Sequence, residues 1–330
     1  MAGVRFTDWQ SRPTEFLACT SVTLEELQHL VSPFEAAFQA PMAAWRLDGK
    51  PRTARQFSIY KNCPLPTPED RLLFMLTYLK TYALQVMHGR LFGMSQSKAN
   101  QWIHVLLPVL LAALRALGDA PARSLAALAQ RLGVSVADTA TVVTGLEEAP
   151  APLAAAPAGL PPFAHDGTER RIVRPQDPPA QAQCYSGKKK DHTVKNVLLV
   201  NALLLILFLS DTYGGRTHDK PIGDATPYPL PARSRLLQDL GFLAFTFPEV
   251  VILIPTKKPR GQELTLEEQR ANQALNERRR IEHVNSRVKR CRIVKDRLRL
   301  WKHGVRDLVM ELCCALHNFR VRLTPWQPMV

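Results

Sequence analysis

The sequence predicts an α/β protein in two parts: an all-α N-terminal region, then a C-terminal region of strands and helices. Three observations predict this. Residues 149–162 hold six Ala and five Pro among fourteen, and repeated Pro removes backbone donors and blocks helix and sheet alike. Before that stretch, apolar residues recur at helical spacing behind capping residues. After it come short, near-continuous apolar runs, the pattern of strands buried on both faces. The parts divide as an N-terminal, partly helical region over 1–63, a helix-turn-helix unit over 64–148, a linker over 149–162, an α/β unit over 163–322 and a tail over 323–330.

In the N-terminal part, Thr67-Pro68-Glu69-Asp70 starts a helix: a cap residue, Pro at the first helical position, then acids in the first turn. Leu72, Leu76 and Leu79 follow at helical spacing. A second helix carries Leu84, Met87 and Leu91 on one face, and Gly93 breaks it. Ser95 caps a third helix, on which Ala99, Trp102, Ile103 and Leu106 face inward. Gly89 at the crossing, Gly93 at the turn and Ala99 on the following helix are the small residues that a helix-turn-helix needs. Gln96, Ser97, Asn100, Gln101 and His104 point outward. A second candidate at 124–146 has Ala129 and Gly133 in fitting places. Thr139 takes its apolar position, however, and Asp138, Glu147 and Glu148 would repel phosphate, so the segment reads as helical packing.

The charge balance points to an anionic partner. There are 43 Lys and Arg against 29 Asp and Glu, a net charge of +14. Lys and Arg gain affinity for nucleic acid by displacing phosphate counterions, so nucleic acid is the commonest such partner, the alternative being a basic protein kept soluble by its charge. The outward set Gln96, Ser97, Asn100 and His104 suits base edges and phosphates in a major groove. The hydrophobic content of 46% supplies a sizeable core and excludes general disorder. The longest strongly apolar run, 197–209, is 13 residues interrupted by Asn201, against the ~20 that a membrane span takes, so no membrane partner is expected. Arg5 and Asp8 stand near the start with no apolar run behind them, so no secretory signal is read. None of the six cysteines forms a CxxC pair, so neither a zinc ribbon nor a disulfide framework is suggested, which suits a reduced, cytosolic setting.

In the C-terminal part, Phe163-Ala164-His165-Asp166-Gly167-Thr168-Glu169 reads as a short strand with Asp166 near its end. Two more strands, 193–200 and 203–209, are joined by a turn at Asn201-Ala202. Another buried run lies at 249–254. Residues 265–303 read as one helix rich in Arg and Lys. Five motifs stand in order: D-G-T-E at 166–169, Y-S-G-K-K-K-D-H-T-V-K-N at 185–196, G-G-R-T-H-D-K-P at 214–221, Q-D-L-G-F at 238–242, and R-x3-E-x6-K at 278–289.

Together these resemble the bacterial insertion-sequence transposases of family five, whose catalytic core is similar to that of the eukaryotic Harbinger elements. The resemblance covers residues 64–322. It implies an RNase H-like mixed sheet flanked by helices, with three metal-binding carboxylates, Asp-Asp-Glu. It also implies DNA cleavage and strand transfer at the inverted repeats of a mobile element, by a homodimer or larger assembly on double-stranded DNA.

Carried over residue by residue, the first carboxylate is Asp166 and the last is Glu282. On one helix, Arg278, Glu282 and Lys289 would share a face, placing a metal ligand between two phosphate-binding cations. Where the family has a Tyr three residues before the Arg, this chain has Leu275. The middle acid is Asp239 or Asp219. In an RNase H-like fold the second acid follows the fourth strand, which favours Asp239, and Asp219 then starts the first core helix. Magnesium prefers hard oxygen ligands and keeps several waters, so few carboxylates suffice. Two such ions ~3.5–4 Å apart support an in-line displacement, and manganese can substitute. Lys188, Lys189 and Lys190 would neutralise phosphates beside the site. Two other readings compete: an inactive copy that only binds DNA, and a metal-dependent endonuclease of the same fold.

Overall fold

The computed structural model describes residues 3–134 and 162–326, except 45, 47–49, 52, 54–61, 279, 301 and 303, and leaves aside the side chains of 276–278. The linker over 149–162 lies outside the described residues apart from Pro162, as do Asp138, Thr139, Glu147 and Glu148. The molecule divides into two compact units: Met1–Ala120 with Arg287–Leu323, and Pro121–Ser286 with Thr324–Val330.

The first unit is helical. It begins with α1 (Pro13–Thr20), α2 (Leu24–Ala44), α3 (Pro68–Thr81), α4 (Gln85–Leu91) and α5 (Gln96–Ala116). Thr67 caps α3 by accepting from the Asp70 backbone N–H at 3.1 Å. Ser95 caps α5 through the Lys98 N–H at 3.3 Å. Both starts are as the sequence reads. By length and composition α5 could cross a membrane, but it turns Trp102, Ile103, Leu106 and Leu110 into the core of the unit, each no more than 1% exposed.

The second helix differs from expectation. Leu84, Met87 and Leu91 are 56, 57 and 44% exposed, and α4 buries His88 and Gly89 instead. The cause is Gly89. A Cβ there would stand 2.9 Å from the Met94 carbonyl oxygen and 3.3 Å from the Ala99 Cβ. The bare glycine face is the one that seats on α5, and the leucine-bearing face turns out. Gly93, at φ +68°, makes the turn between the two helices in the left-handed region.

Among the described residues, the second unit carries a seven-stranded mixed sheet. Its elements are α6 (Leu125–Leu132), β1 (Pro162–Arg171), α7 (Pro178–Cys184), β2 (Tyr185–Ser186), β3 (Asp191–Asn201), β4 (Ile206–Leu209), β5 (Tyr213–Gly214), α8 (Asp219–Asp224), β6 (Arg235–Leu237), β7 (Val251–Leu253), α9 (Leu266–Arg278) and α10 (Ile281–Val288). The strand order is β2-β3-β1-β6-β7, and β4 and β5 also pair with β3. Strand β3 runs antiparallel to β1 and β4, while β6 adds parallel to β1 and β7 parallel to β6. This is the mixed RNase H-like sheet flanked by helices that the sequence predicts. Val197, Leu198, Leu199 and Val200 of β3 are all fully buried, so this strand is covered on both faces.

Two strand readings are corrected. β1 runs on to Arg171, so Asp166 sits inside the strand, held there by pairing with β3 from Phe163↔Asn201 to Arg171↔Thr193. β4 starts only at Ile206, because Leu204 takes a left-handed turn conformation, φ +64°, and Leu203 stays exposed. The segment at 124–146 is helical packing as far as it is described: Leu128 of α6 lies in the core with Val197, Leu207, Phe208 and Phe242.

Residues 265–303 are not one helix. α9 ends at Arg278, α10 begins at Ile281, and α11 (Arg292–Lys295) follows. The apolar phase explains the break. At 3.6 residues per turn, Leu275 and Ile281 would lie roughly 120° apart on a continuous helix. Both are buried, as are Val284 and Val288 in step with Ile281. Ending one helix and starting another lets each segment bury its own stripe.

α11 and α12 (Val305–Leu323) complete the first unit. Arg322 of α12 binds Asp119 through two bonds of 2.8 Å, Arg320 binds Glu26 at 3.1 Å, and Glu311 accepts from Arg115 at 2.6 Å. Each carboxylate in these pairs is nearly buried and thus kept paired.

Candidate active site

Side chains alternate along a strand, so β1 presents two different sets. Phe163, His165 and Gly167 face one way; Ala164, Asp166 and Thr168 face the other. The first face packs on the core of the unit: Phe163 lies with Val197, Leu199, Ile222 and Phe242, and the His165 ring stacks on Phe242 at 3.8 Å between centroids. Burial pushes the His165 pKa down to about 4, against smaller raising effects of the Gln238 hydrogen bond and Asp239. The residue beside Asp166 is therefore neutral at ordinary pH.

Asp239 lies two residues past the end of β6, and Asp166 two residues past the last residue of β1 that pairs with β6. The parallel pairing of β1 with β6 ends at Ala164↔Leu237. His165 Nε2 and Gln238 Oε1, 2.9 Å apart, continue it by a side-chain contact, and Asp166 and Asp239 each follow that pair by one residue. Asp239 keeps an extended backbone, φ −94° and ψ 178°, and caps the single 3-10 turn Leu240–Phe242 by accepting from the Gly241 N–H at 2.8 Å. Phe242 anchors that turn, fully buried.

Asp219 occupies a different place, at the start of α8 with His218 as its cap. A Cβ on Gly167 would stand 2.4 Å from Asp219 Oδ1, and one on Gly241 would stand 2.9 Å from both Asp219 Oδ2 and Asp239 Oδ1. Asp219 thus lies over the Gly167 face, which is opposite the face carrying the Asp166 side chain. Lys195 holds it at 3.1 Å and also donates to the Thr217 carbonyl at 2.9 Å.

Glu282 is exposed in the first turn of α10, where a carboxylate meets the positive end of the helix dipole. One turn later on the same side, Asn285 donates from Nδ2 to Asp166 Oδ2 at 2.7 Å. α10 therefore reaches the Asp166 face directly. The expected single face of Arg278, Glu282 and Lys289 is not formed, because Arg278 ends α9 and Lys289 follows the end of α10. The Arg278 side chain lies outside the described residues. Leu275 is 1% exposed, so the position where the family carries a Tyr ring is filled by a core leucine. Among the described residues, no three His, Cys, Asp or Glu side chains stand close enough together to hold a metal ion.

Sequence reasoning missed Asn285 and Lys195. Asn285 could have been found as the polar residue that borders the apolar stripe Ile281, Val284 and Val288.

Lys188, Lys189 and Lys190 are exposed in the turn between β2 and β3. In the helical unit, Gln96 and Ser97 are exposed on the first turn of α5, and Asn100 and His104 are half-buried on the next two turns. Gln96, Asn100 and His104 line a cleft of about 560 Å³ together with Arg299 and Lys302. Arg299 stacks on the Tyr82 ring at 4.1 Å and donates to the Tyr82 carbonyl. Burial, and then Lys302, pushes the His104 pKa below its ordinary value.

Residues 165–318 match the family model of the DDE superfamily endonucleases, and residues 63–116 match that of the helix-turn-helix of DDE superfamily endonucleases. The second match ends where α5 ends. A probable transposase for insertion sequence element IS702 of Microchaete diplosiphon is 28% identical over 159 residues, which covers 48% of this chain and 56% of that protein. The chain thus spans little more than half the length of that relative. No solved structure matches.

Proposed function

We propose, on the match of residues 165–318 to the DDE superfamily endonucleases and of residues 63–116 to their helix-turn-helix, that the chain is a transposase that cuts DNA at the ends of an insertion sequence and joins the freed 3′-hydroxyls to target DNA. The observation that carries this reading is the hydrogen bond from Asn285 of α10, one turn from Glu282, to Asp166, with Asp166 and Asp239 each following the contacting pair His165–Gln238.

The residue types suit a hard divalent cation: Asp166 and Asp239 are half-buried carboxylates, and the carboxamide oxygen of Asn285, which binds Asp166 through its nitrogen, is buried without a hydrogen-bond partner. Asp166, Asp239 and Glu282 would hold magnesium, with manganese as a substitute, two ions to a site. Bound there, such ions activate a water for in-line attack and neutralise the leaving oxygen. Lys188, Lys189 and Lys190 take backbone phosphates near the cut. Arg278 and Lys289, close in sequence to Glu282, take phosphates on either side. Gln96, Ser97, Asn100 and His104 read the element ends from a major groove. Asp219 supports the fold through Lys195 and the two glycines. Because both ends must be cut together, a second copy of the chain is the expected partner on DNA.

The test is a labelled DNA carrying the element's ends, incubated with the protein in magnesium or in EDTA. The expected result is magnesium-dependent nicking at the ends and joined products, lost in Asp166→Ala, Asp239→Ala and Glu282→Ala. Folded Asp219→Ala should still cut. Binding of the ends without cleavage in any metal would leave a DNA-binding protein. Cleavage without joining would leave an endonuclease of the same fold.

A further inference from the structure

We infer that Asn285 is a working part of the acid site: its carboxamide nitrogen holds Asp166 in place, and its carboxamide oxygen is a donor to the cation that Asp166 takes. The inference rests on the reading of Asp166 as a metal carboxylate.

Two observations carry it. Asn285 is 9% exposed, and its Nδ2 donates to Asp166 Oδ2 at 2.7 Å. Its Oδ1, on the same carboxamide, is buried and has no hydrogen-bond partner. Buried polar atoms are nearly always paired, so an unpaired one asks for an explanation. Turning the amide over gives none. It would set a carbonyl oxygen against a carboxylate oxygen, two acceptors with no proton between them. The carboxylate therefore fixes the amide, and the unpaired oxygen is left beside Asp166. A carboxamide oxygen is a hard, neutral donor of the kind that magnesium, manganese and calcium accept. The helix places it well: Glu282 and Asn285 are three residues apart and share a side of α10, while Ile281, Val284 and Val288 anchor that helix in the core. One turn of α10 thus supplies two oxygen donors toward the Asp166 face.

The test is manganese binding to the full chain without DNA, followed by calorimetry and by thermal unfolding with and without the metal. Asn285→Leu is expected to weaken manganese binding at least tenfold while the metal-free protein stays folded. Asn285→Asp sets a second carboxylate against Asp166. Its melting temperature should fall without metal and rise with manganese by more than that of the wild type. A merely structural role would lower stability in both variants and leave the metal response unchanged. Wild-type manganese affinity in Asn285→Leu would overturn the inference, as would a manganese response in Asn285→Asp no larger than that of the wild type. Asp166→Asn separates the two levels of the argument. If it binds manganese as well as the wild type does, the acid-site reading itself fails. If it loses binding and Asn285→Leu does not, only the role of Asn285 fails.

Discussion

The imidazole Nε2 of His165 lies 2.9 Å from Oε1 of Gln238, and this side-chain contact extends the pairing of β1 with β6 beyond its last backbone rung. Both residues are almost fully buried. Because burial holds His165 neutral, one ring nitrogen carries a proton, and Gln238 Oε1 is the acceptor that fixes it on Nε2. Asp166 and Asp239 each follow this buried pair directly in the chain.

Gln238→Leu removes that acceptor and leaves a buried N–H unpaired. The expected loss is roughly 1–3 kcal/mol of stability, read as a lower melting temperature. Below the transition, DNA cleavage should fall as well, because Asp239 directly follows the altered residue. A variant with a lower melting temperature and full cleavage would show that the contact stabilises the sheet without spacing the acids.

Gly167→Ala places a Cβ 2.4 Å from Asp219 Oδ1. Overpacking of this kind costs ~1–3 kcal/mol. Asp219→Ala removes the atoms that clash and also removes the carboxylate from Lys195, which keeps its bond to the Thr217 carbonyl. The double variant should therefore be more stable than the sum of the two single losses predicts, by about 1 kcal/mol or more. Simple additivity in thermal unfolding would mean that Asp219 does not sit over Gly167.

The parts of the molecule that were legible in the sequence were those set by local rules. The caps at Thr67 and Ser95, the small residues at Gly89 and Ala99, and the buried runs of β3 need only their neighbours to be understood. Strand count and the D-x-G-F pattern agree in making Asp239 the expected second acid. What could not be read were features decided by distant packing. Nothing local says that Leu84, Met87 and Leu91 face out, since that follows from which side of α4 the Gly89 crossing turns inward. The break between α9 and α10 has no Pro or Gly to signal it, and only the phase difference between Leu275 and Ile281 marks it. Asn285 meets Asp166 across 119 positions of chain, a relationship that no spacing rule covers.

Gly89→Val tests the helix-turn-helix. Its Cβ would fall 2.9 Å from the Met94 carbonyl oxygen, a backbone atom that cannot swing aside. Stability and DNA binding should both fall. Gln96→Ala and Ser97→Ala change exposed residues on α5, so thermal unfolding should stay within about 0.5 kcal/mol of the wild type. DNA affinity should fall by ~1–3 kcal/mol for each base edge that is no longer read. If these surface variants bind the ends as the wild type does, base reading lies elsewhere on the chain.

His88 gives the helical unit a pH dependence of defined sign. It is 1% exposed, its ring nitrogen Nε2 is 3.1 Å from the Phe74 carbonyl oxygen, and its neighbours are the aromatic rings of Phe74, Tyr78 and Phe92. Burial, only partly offset by the Phe74 carbonyl, pushes its pKa from 6.5 to about 4. Between those values the unfolded chain binds more protons than the folded one, so stability rises with pH across the window and is complete above 6.5. Going down from pH 6.5 to 4, this one residue should remove about 3 kcal/mol, at ~1.4 kcal/mol for each pH unit. His88→Leu cannot titrate. The stability difference between wild type and variant, measured by denaturant unfolding at several pH values, should therefore shift against the wild type as pH falls. Other titrating groups are common to both proteins and cancel in that difference. A difference that stays constant from pH 7 to 4 would mean that His88 titrates in the folded protein as it does in the unfolded chain, and that the ring is not enclosed as described.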